Sequence, residues 1–163
     1  PLVFGVGSAL TAGVGANVGA QNFQRARSIA WAGASIAFLV TGGIGVMVAV
    51  IPELWLDWFT ADEAAYKVAA LYLAIAGPFY GFFGAGQALY FASQGTGRLL
   101  LPICVGIIRF LTLSLVGLMA VRMDWPIQVV FAGVSAGLLV TGIGMALCLF
   151  SADWRPRLQT SKN

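Results

Sequence analysis

The fold is decided by residues 68–97, VAALYLAIAGPFYGFFGAGQALYFASQGTG, because none of these thirty residues is charged. A transmembrane helix needs about 20 apolar residues to cross a hydrocarbon core of about 30 Å. The chain repeats such uncharged runs, interrupted once by Arg109, at 1–24, 28–52, 99–121 and 125–152. Five successive runs leave no polar face for water, so the sequence predicts an all-α, polytopic membrane helix bundle. The predicted transmembrane helices lie approximately at 1–21, 28–52, 64–92, 99–121 and 125–150.

The composition excludes several classes of protein. Of the 163 residues, 60% are hydrophobic and 9% are charged, whereas soluble domains carry about 25% charged residues. Histidine is absent, and the two cysteines, Cys104 and Cys148, form no metal-binding motif. No nucleophile–base pair or phosphate-binding loop is recognisable in the sequence. We therefore expect a protein of the lipid bilayer that is not an enzyme, holds no metal or other cofactor, and binds no nucleic acid.

The basic residues predict the orientation in the membrane. If five helices alternate in direction, six Lys or Arg residues of the connectors and tail lie on one side and two on the other. Basic residues flanking membrane helices stay cytoplasmic, so this asymmetry predicts a multi-pass plasma membrane protein whose tail, 153–163, is cytoplasmic. The tryptophans agree, since all lie near the ends of the predicted helices, where an amphipathic ring favours the headgroup region: Trp31, Trp55, Trp58, Trp125 and Trp154.

The third predicted helix contains the clearest candidate for a cavity. Pro78 lies in its middle, where it removes a backbone hydrogen bond and should kink the helix. Polar and aromatic residues then recur at helical spacing: Tyr80, Gly84, Gln87, Phe91 and Gln94. We predict that Tyr80, Gln87 and Phe91 line a substrate cavity, with Ser8 and Thr11 as a thinner stripe on the first helix. Alternatively, Gln87 only bonds a neighbouring helix, and the hydroxyls satisfy their own backbone.

Arg109 is the only charged residue near the middle of a predicted transmembrane helix. Because a charge facing lipid is costly, Arg109 must face protein or a wet cavity. Pro102, Gly106 and Thr112 lie on the same side of the helix by their spacing. A positive charge would repel a cationic drug, which favours a structural or gating role. Direct contact with an anionic substrate stays open as the alternative.

Several motifs together resemble one family of transporters. The stretch GVGSALTAGVGANVGAQNFQRAR, residues 5–27, is similar to the helix and cytoplasmic turn that open each repeat of the multidrug and toxic compound extrusion (MATE) family. The later runs YLAIAGP, residues 72–78, and ALYFASQGTG, residues 88–97, resemble the next parts of that repeat. The matching motif positions are Gly15, Gly19, Ala20, Ala26, Pro78 and Gly95.

The resemblance implies a fold and a mechanism. Such transporters have twelve helices in two six-helix lobes, and five helices with a cytoplasmic tail would match helices eight to twelve. We therefore expect a fragment that covers most of the second lobe and whose partner is the missing N-terminal lobe, in a bacterial inner membrane. The expected activity is export of small organic, often cationic, compounds in exchange for Na⁺ or H⁺ by alternating access.

The same resemblance leaves the coupling ion and the substrate class open. Some family members carry a cation-binding acid on the tenth helix, but residues 68–97 contain none. The coupling-ion site is therefore expected in the missing N-terminal part. Two alternatives remain: a lipid-linked oligosaccharide or polysaccharide flippase of the same superfamily, which Arg109 would suit, and a non-transporting helical membrane scaffold.

Overall fold

The computed structural model describes residues 2–151, and within this range all regular secondary structure is helical. The helices are α1 Leu2–Gly19, α2 Phe23–Val50, α3 Glu53–Leu56, α4 Glu63–Ala76, α5 Tyr80–Thr96, α6 Leu100–Arg122 and α7 Ile127–Ser151, with a 3₁₀ turn at Gly77–Phe79. The predicted all-α membrane bundle is confirmed. The predicted tail, 153–163, and its Trp154 lie outside the described residues.

Four helical segments are long and apolar enough to cross a membrane. They are Phe23–Val50, Glu63–Thr96, Leu100–Arg122 and Ile127–Phe150. The fifth, Val3–Gly19, is also apolar but shorter. The architecture is therefore four long apolar helices and one shorter one, which fits a polytopic bundle.

The first two helices are separated by a tight turn whose residues determine where each helix ends and begins. Gln21 adopts a left-handed conformation with φ 58°, which ends the run of α-helical residues after α1. The side chain of Asn22 then caps α2, because its Oδ1 accepts a hydrogen bond from the Arg25 amide at 3.3 Å. As a result, α2 starts at Phe23, and Arg25 and Arg27 lie in its first turns.

Helices α4 and α5 form one interrupted membrane segment. The Asp62 side chain caps its start by accepting a hydrogen bond from the Ala64 amide at 2.8 Å. The 3₁₀ turn Gly77–Phe79 contains Pro78, which has no amide to donate to the preceding turn. The predicted irregularity at Pro78 is therefore present as a tightening of the helix between α4 and α5.

Helix α5 is at the centre of the bundle, where it packs against α1, α2 and α7, whereas α6 packs mainly on α7. The buried face of α2 consists almost entirely of small residues: Ala26, Ala30, Gly33, Ala34, Ala37, Gly45 and Val48. Small side chains let two helix backbones approach closely, which is how membrane helices associate without a hydrophobic driving force. The core next to these small residues also contains larger side chains such as Val14 and Leu89, which are almost fully buried.

The glycines of the sequence motifs occupy different environments. A Cβ on Gly95 would lie 2.6 Å from the Thr11 carbonyl oxygen, and one on Gly15 would lie 3.3 Å from the Gly95 carbonyl oxygen. These two glycines therefore lie at a close backbone contact between α1 and α5. Gly19, by contrast, has open space where a Cβ would be. Of the two motif glycines on α1, only Gly15 meets a neighbouring helix among the described residues.

Candidate functional site

A cleft that contains several polar side chains lies between α5, α6 and α7, and we refer to it as the α5–α6–α7 cleft. It encloses about 230 Å³. Its lining consists of Gln87 and Tyr90 from α5, Pro102, Ile103, Gly106 and Arg109 from α6, and Thr141 and Met145 from α7. Polar groups inside a membrane bundle are costly unless they are satisfied or functional, so their convergence marks this cleft as the candidate site.

The cleft is shaped by glycines that bring α7 close to two helices. A Cβ on Gly86 would lie 2.9 Å from the Thr141 carbonyl oxygen, and one on Gly142 would lie 2.6 Å from the Phe82 carbonyl oxygen. A Cβ on Gly144 would lie 2.8 Å from a methyl carbon of Val105 on α6. Helix α7 is thus in close contact with both α5 and α6, and the space left between those two helices forms the cleft.

Arg109 supplies the charge of the cleft. It is the tenth residue of α6, so its Cα lies about 14 Å along the axis from the start of that helix, at about 1.5 Å per residue. Its guanidinium carbon lies 5.0 Å from the centre of the Phe83 ring. Such a cation–π contact contributes about 2 kcal/mol when the pair is shielded from water.

The Nε atom of Arg109 is buried and has no hydrogen-bond partner among residues 2–151. A buried donor without an acceptor costs about 1–3 kcal/mol, which is comparable to what the Phe83 contact contributes. The ring supplies π electrons to the cation but no lone pair for an N–H group. The guanidinium is therefore held in place by Phe83 while its hydrogen-bonding capacity stays partly unused.

No acid neutralises this arginine within α5, α6 or α7. The sequence contains no Asp or Glu between Glu63 and Asp124. Asp124 follows the end of α6, fifteen residues after Arg109, which corresponds to about 22 Å along a helix. Among residues 2–151, the one ion pair within 4 Å joins Lys67 to Glu63 at 2.6 Å, and both side chains are exposed. The α5–α6–α7 cleft is therefore positively charged.

The structure separates the residues that were predicted to line one cavity. Gln87 lines the α5–α6–α7 cleft. Phe91 packs against Gly7 of α1, and its ring centre lies 5.6 Å from that of Phe4. Tyr80 lies half-buried near α2, and its carbonyl oxygen accepts a 3.2 Å hydrogen bond from the Thr41 hydroxyl. Tyr80 and Phe91 are not in the lining of this cleft, and their role in substrate binding stays a prediction.

The two hydroxyls predicted on the first helix both bond to backbone oxygens. Ser8 is exposed and donates to the Gly5 carbonyl at 3.0 Å. The Thr11 hydroxyl lies near two carbonyl oxygens, that of Gly7 at 3.2 Å and that of Phe91 at 2.9 Å. Thr11 therefore links α1 to α5 as well as contacting its own helix. Neither residue is in the lining of the cleft, and their assignment to a substrate cavity also stays a prediction.

The predicted side of α6 does face the cleft, since Pro102, Gly106 and Arg109 all line it. Thr112, expected on the same side, instead donates a hydrogen bond to the Ile108 carbonyl at 2.8 Å. Tyr90, Thr141 and Phe83 were not predicted as site residues from the sequence. Tyr90 and Phe83 could have been found by spacing, because they lie three residues after and four residues before Gln87 on one helix.

The remaining motif positions belong to helices and turns of the bundle. Ala26 is fully buried on α2, Ala20 is exposed in the turn after α1, and Pro78 lies in the 3₁₀ turn. Within residues 2–151, no three His, Cys, Asp or Glu side chains lie close enough together to hold a metal ion.

Comparison with known families identifies the chain at the family level. The family model MatE matches residues 2–119, which extend from α1 into α6 and include Gln87, Tyr90 and Arg109. Comparison with curated proteins and with solved structures gave no match. The match covers most of the chain, confirms the family predicted from its motifs, and supports a transporter rather than a scaffold. The apolar helices of the bundle agree with a multi-pass membrane location. The chain therefore belongs to the MATE family of membrane transporters.

Proposed function

We propose that this protein is a MATE-type efflux transporter that exports small organic compounds in exchange for Na⁺ or H⁺ by alternating access. One observation carries the proposal. Gln87, Tyr90 and Arg109, which all belong to the matched family region, lie together at a cleft between otherwise apolar helices. Polar groups gathered in a membrane bundle are typical of a substrate or ion pathway.

The coupling ion is assigned outside α5–α7 in this proposal. Na⁺ binding or proton transfer at membrane depth needs an acidic or similarly polar oxygen ligand, and the sequence places no Asp or Glu between residues 64 and 123. Arg109 would also repel a cation at the α5–α6–α7 cleft. We propose that the ion binds in the N-terminal lobe expected from the resemblance, while this cleft serves the exported compound. The proposed orientation places the C-terminus in the cytoplasm of a bacterial cell.

Drug-resistance measurements on Gln87 test this function. Bacteria that lack their own exporters and produce the protein should grow at higher concentrations of at least some toxic organic compounds. Gln87→Ala should lower this resistance fourfold or more, or change which compounds are tolerated, because the carboxamide lines the cleft. Protein abundance should change little. The matched control is Gln128→Ala, since Gln128 is exposed near the start of α7. If abundance falls in step with resistance, Gln87 is a packing residue and the cleft is not the substrate pathway.

A lipid-linked oligosaccharide flippase is the second candidate, and the positive charge of Arg109 in the cleft favours it. The two functions differ in what the purified protein moves in liposomes. A flippase would translocate a lipid-linked diphosphate, and it would not accumulate a soluble drug when a Na⁺ or H⁺ gradient is imposed. An efflux transporter would accumulate a soluble compound only when the ion gradient is imposed.

A further inference from the structure

We propose that the α5–α6–α7 cleft binds an oxyanion of the transported compound, a carboxylate or a phosphate, with Arg109 as the principal ligand. The inference rests on the proposed export function, and it narrows the substrates of this site to anionic or zwitterionic compounds. It also gives Arg109 a direct binding role, whereas the sequence alone favoured a structural or gating one.

Arg109 has hydrogen-bonding capacity that the surrounding residues do not use. A guanidinium carries five N–H donors in a planar fork, which matches the paired oxygens of a carboxylate or phosphate. In this structure its Nε is buried without an acceptor, and its ring neighbour, Phe83, supplies none. A side chain that served only to join helices would be expected to bond the carbonyls or carboxylates around it.

Two polar side chains next to Arg109 in the cleft also have donors available for a ligand. Among residues 2–151, no hydrogen bond joins the Gln87 carboxamide or the Tyr90 hydroxyl to another residue. Both groups can donate to an oxygen. Thr141 is different, because its hydroxyl donates to the Gly137 carbonyl at 2.8 Å. The cleft thus offers donors from two helices and no carboxylate to accept from them.

The size of the cleft and the apolar character of its walls favour a single anionic group as the occupant. Its 230 Å³ are below the range of about 300–1,000 Å³ that is typical of pockets enclosing a whole drug-sized ligand. It therefore fits one head group, while the rest of the compound extends outside. The walls formed by Pro102, Ile103 and Met145 are apolar, and apolar walls strengthen the attraction between opposite charges. The same walls strengthen the repulsion of a cation.

Binding of radiolabelled benzoate to the full-length protein in phosphatidylcholine nanodiscs tests the inference. Wild-type protein should bind benzoate saturably. Arg109→Gln should weaken binding at least tenfold, and Arg109→Lys should give an intermediate affinity because the charge stays but the planar fork is lost. The matched control is Arg122→Gln, which removes the same charge from the end of the same helix and should bind like wild type.

A second pair of variants blocks the cleft and leaves Arg109 in place. Among residues 2–151, a Cβ on Gly106 or on Gly117 would meet no atom within 4 Å, so both positions of α6 accept a Cβ without a clash. Only Gly106 lines the cleft. Gly106→Leu should therefore weaken benzoate binding at least tenfold, whereas Gly117→Leu should leave it unchanged. This pair remains informative even where Arg109→Gln lowers the yield of folded protein.

Nanodiscs that contain phosphatidic acid distinguish the two sources of the oxyanion. Competition with benzoate assigns the site to a lipid phosphate, and the absence of competition assigns it to a soluble carboxylate. Either result supports an oxyanion site. The inference is overturned if neither probe binds, or if Arg109→Gln and Gly106→Leu bind benzoate like wild type. Export measured in parallel separates the two proposals, since transport that persists without Arg109-dependent binding refutes the oxyanion site alone.

Discussion

Replacing Gly95 by alanine should destabilise the bundle, because this glycine lies at a close backbone contact between α1 and α5. The new Cβ would be 2.6 Å from the Thr11 carbonyl oxygen, 3.0 Å from the Gly15 nitrogen and 3.2 Å from the Val14 Cβ. Two of these three atoms are backbone, so no side-chain rotation can relieve the contact. Helix α1 would have to move away by about 0.8 Å to restore an ordinary contact of 3.4 Å.

The cost follows from what that movement disturbs. Overpacking a tight contact costs about 1–3 kcal/mol. Moving α1 also stretches the 2.9 Å hydrogen bond from the Thr11 hydroxyl to the Phe91 carbonyl, and such a bond between membrane helices is worth about 0.6 kcal/mol. The higher helix propensity of alanine offsets less than about 1 kcal/mol of this loss, because Gly95 is the penultimate residue of α5. We expect a net loss of about 1–3 kcal/mol, or a Tm lower by about 3–10 °C.

Thermal unfolding of the purified protein in detergent, followed by tryptophan fluorescence, measures the difference. Gly19→Ala is the matched control, because Gly19 also lies at the end of a helix but has no atom within 4 Å of a Cβ. The control should unfold at or slightly above the wild-type temperature. Equal Tm values for Gly95→Ala and Gly19→Ala would show that the close approach of α1 and α5 is wrong.

The predicted orientation can be tested by accessibility. In a cysteine-free background, a cysteine at Gly97 should be shielded from an impermeant thiol reagent added to intact cells, whereas one at Ala61 should react, because the basic residues predict that Gly97 is cytoplasmic. Reaction at Gly97 from outside would contradict this topology. Asp62→Ala should lower stability by about 1 kcal/mol through loss of the cap on the Ala64 amide, while Asp57→Ala, which removes no side-chain hydrogen bond, should not. Thermal unfolding of both variants checks this, and equal Tm values would argue against the cap.

The helices and the break at Pro78 could be predicted from the sequence because each depends on local chemistry. In a membrane, the backbone N–H and C=O groups of an uncharged run have to hydrogen-bond within that run, which produces a helix. A proline removes one amide donor from a helix wherever it occurs. The side of α6 that faces protein was also predictable, since Arg109 makes any lipid-facing arrangement costly.

The neighbours of each residue on α5 could not be predicted in the same way. Helical spacing gives the angle between two side chains of one helix, but it does not say which helix lies opposite each of them. Gly84 and Phe91 therefore pack against α2 and α1, while Gln87 between them borders the cleft. Thr141 was missed because it comes from a different helix, and nothing in its local sequence distinguishes it from a threonine that only bonds its own backbone.

The small residues on the buried face of α2 have a consequence for motion. Alanine and glycine have no side-chain rotamers to lose when they are buried, whereas a longer side chain gives up about 0.5–2 kcal/mol of conformational entropy. The seam between α2 and α5 therefore forms at little entropic cost. For the same reason, the small residues of α2 offer almost no rotamers whose rearrangement could let one helix slip past the other. Relative displacement of α2 and α5 at these positions would have to shift whole backbones, so we expect the two helices to move together.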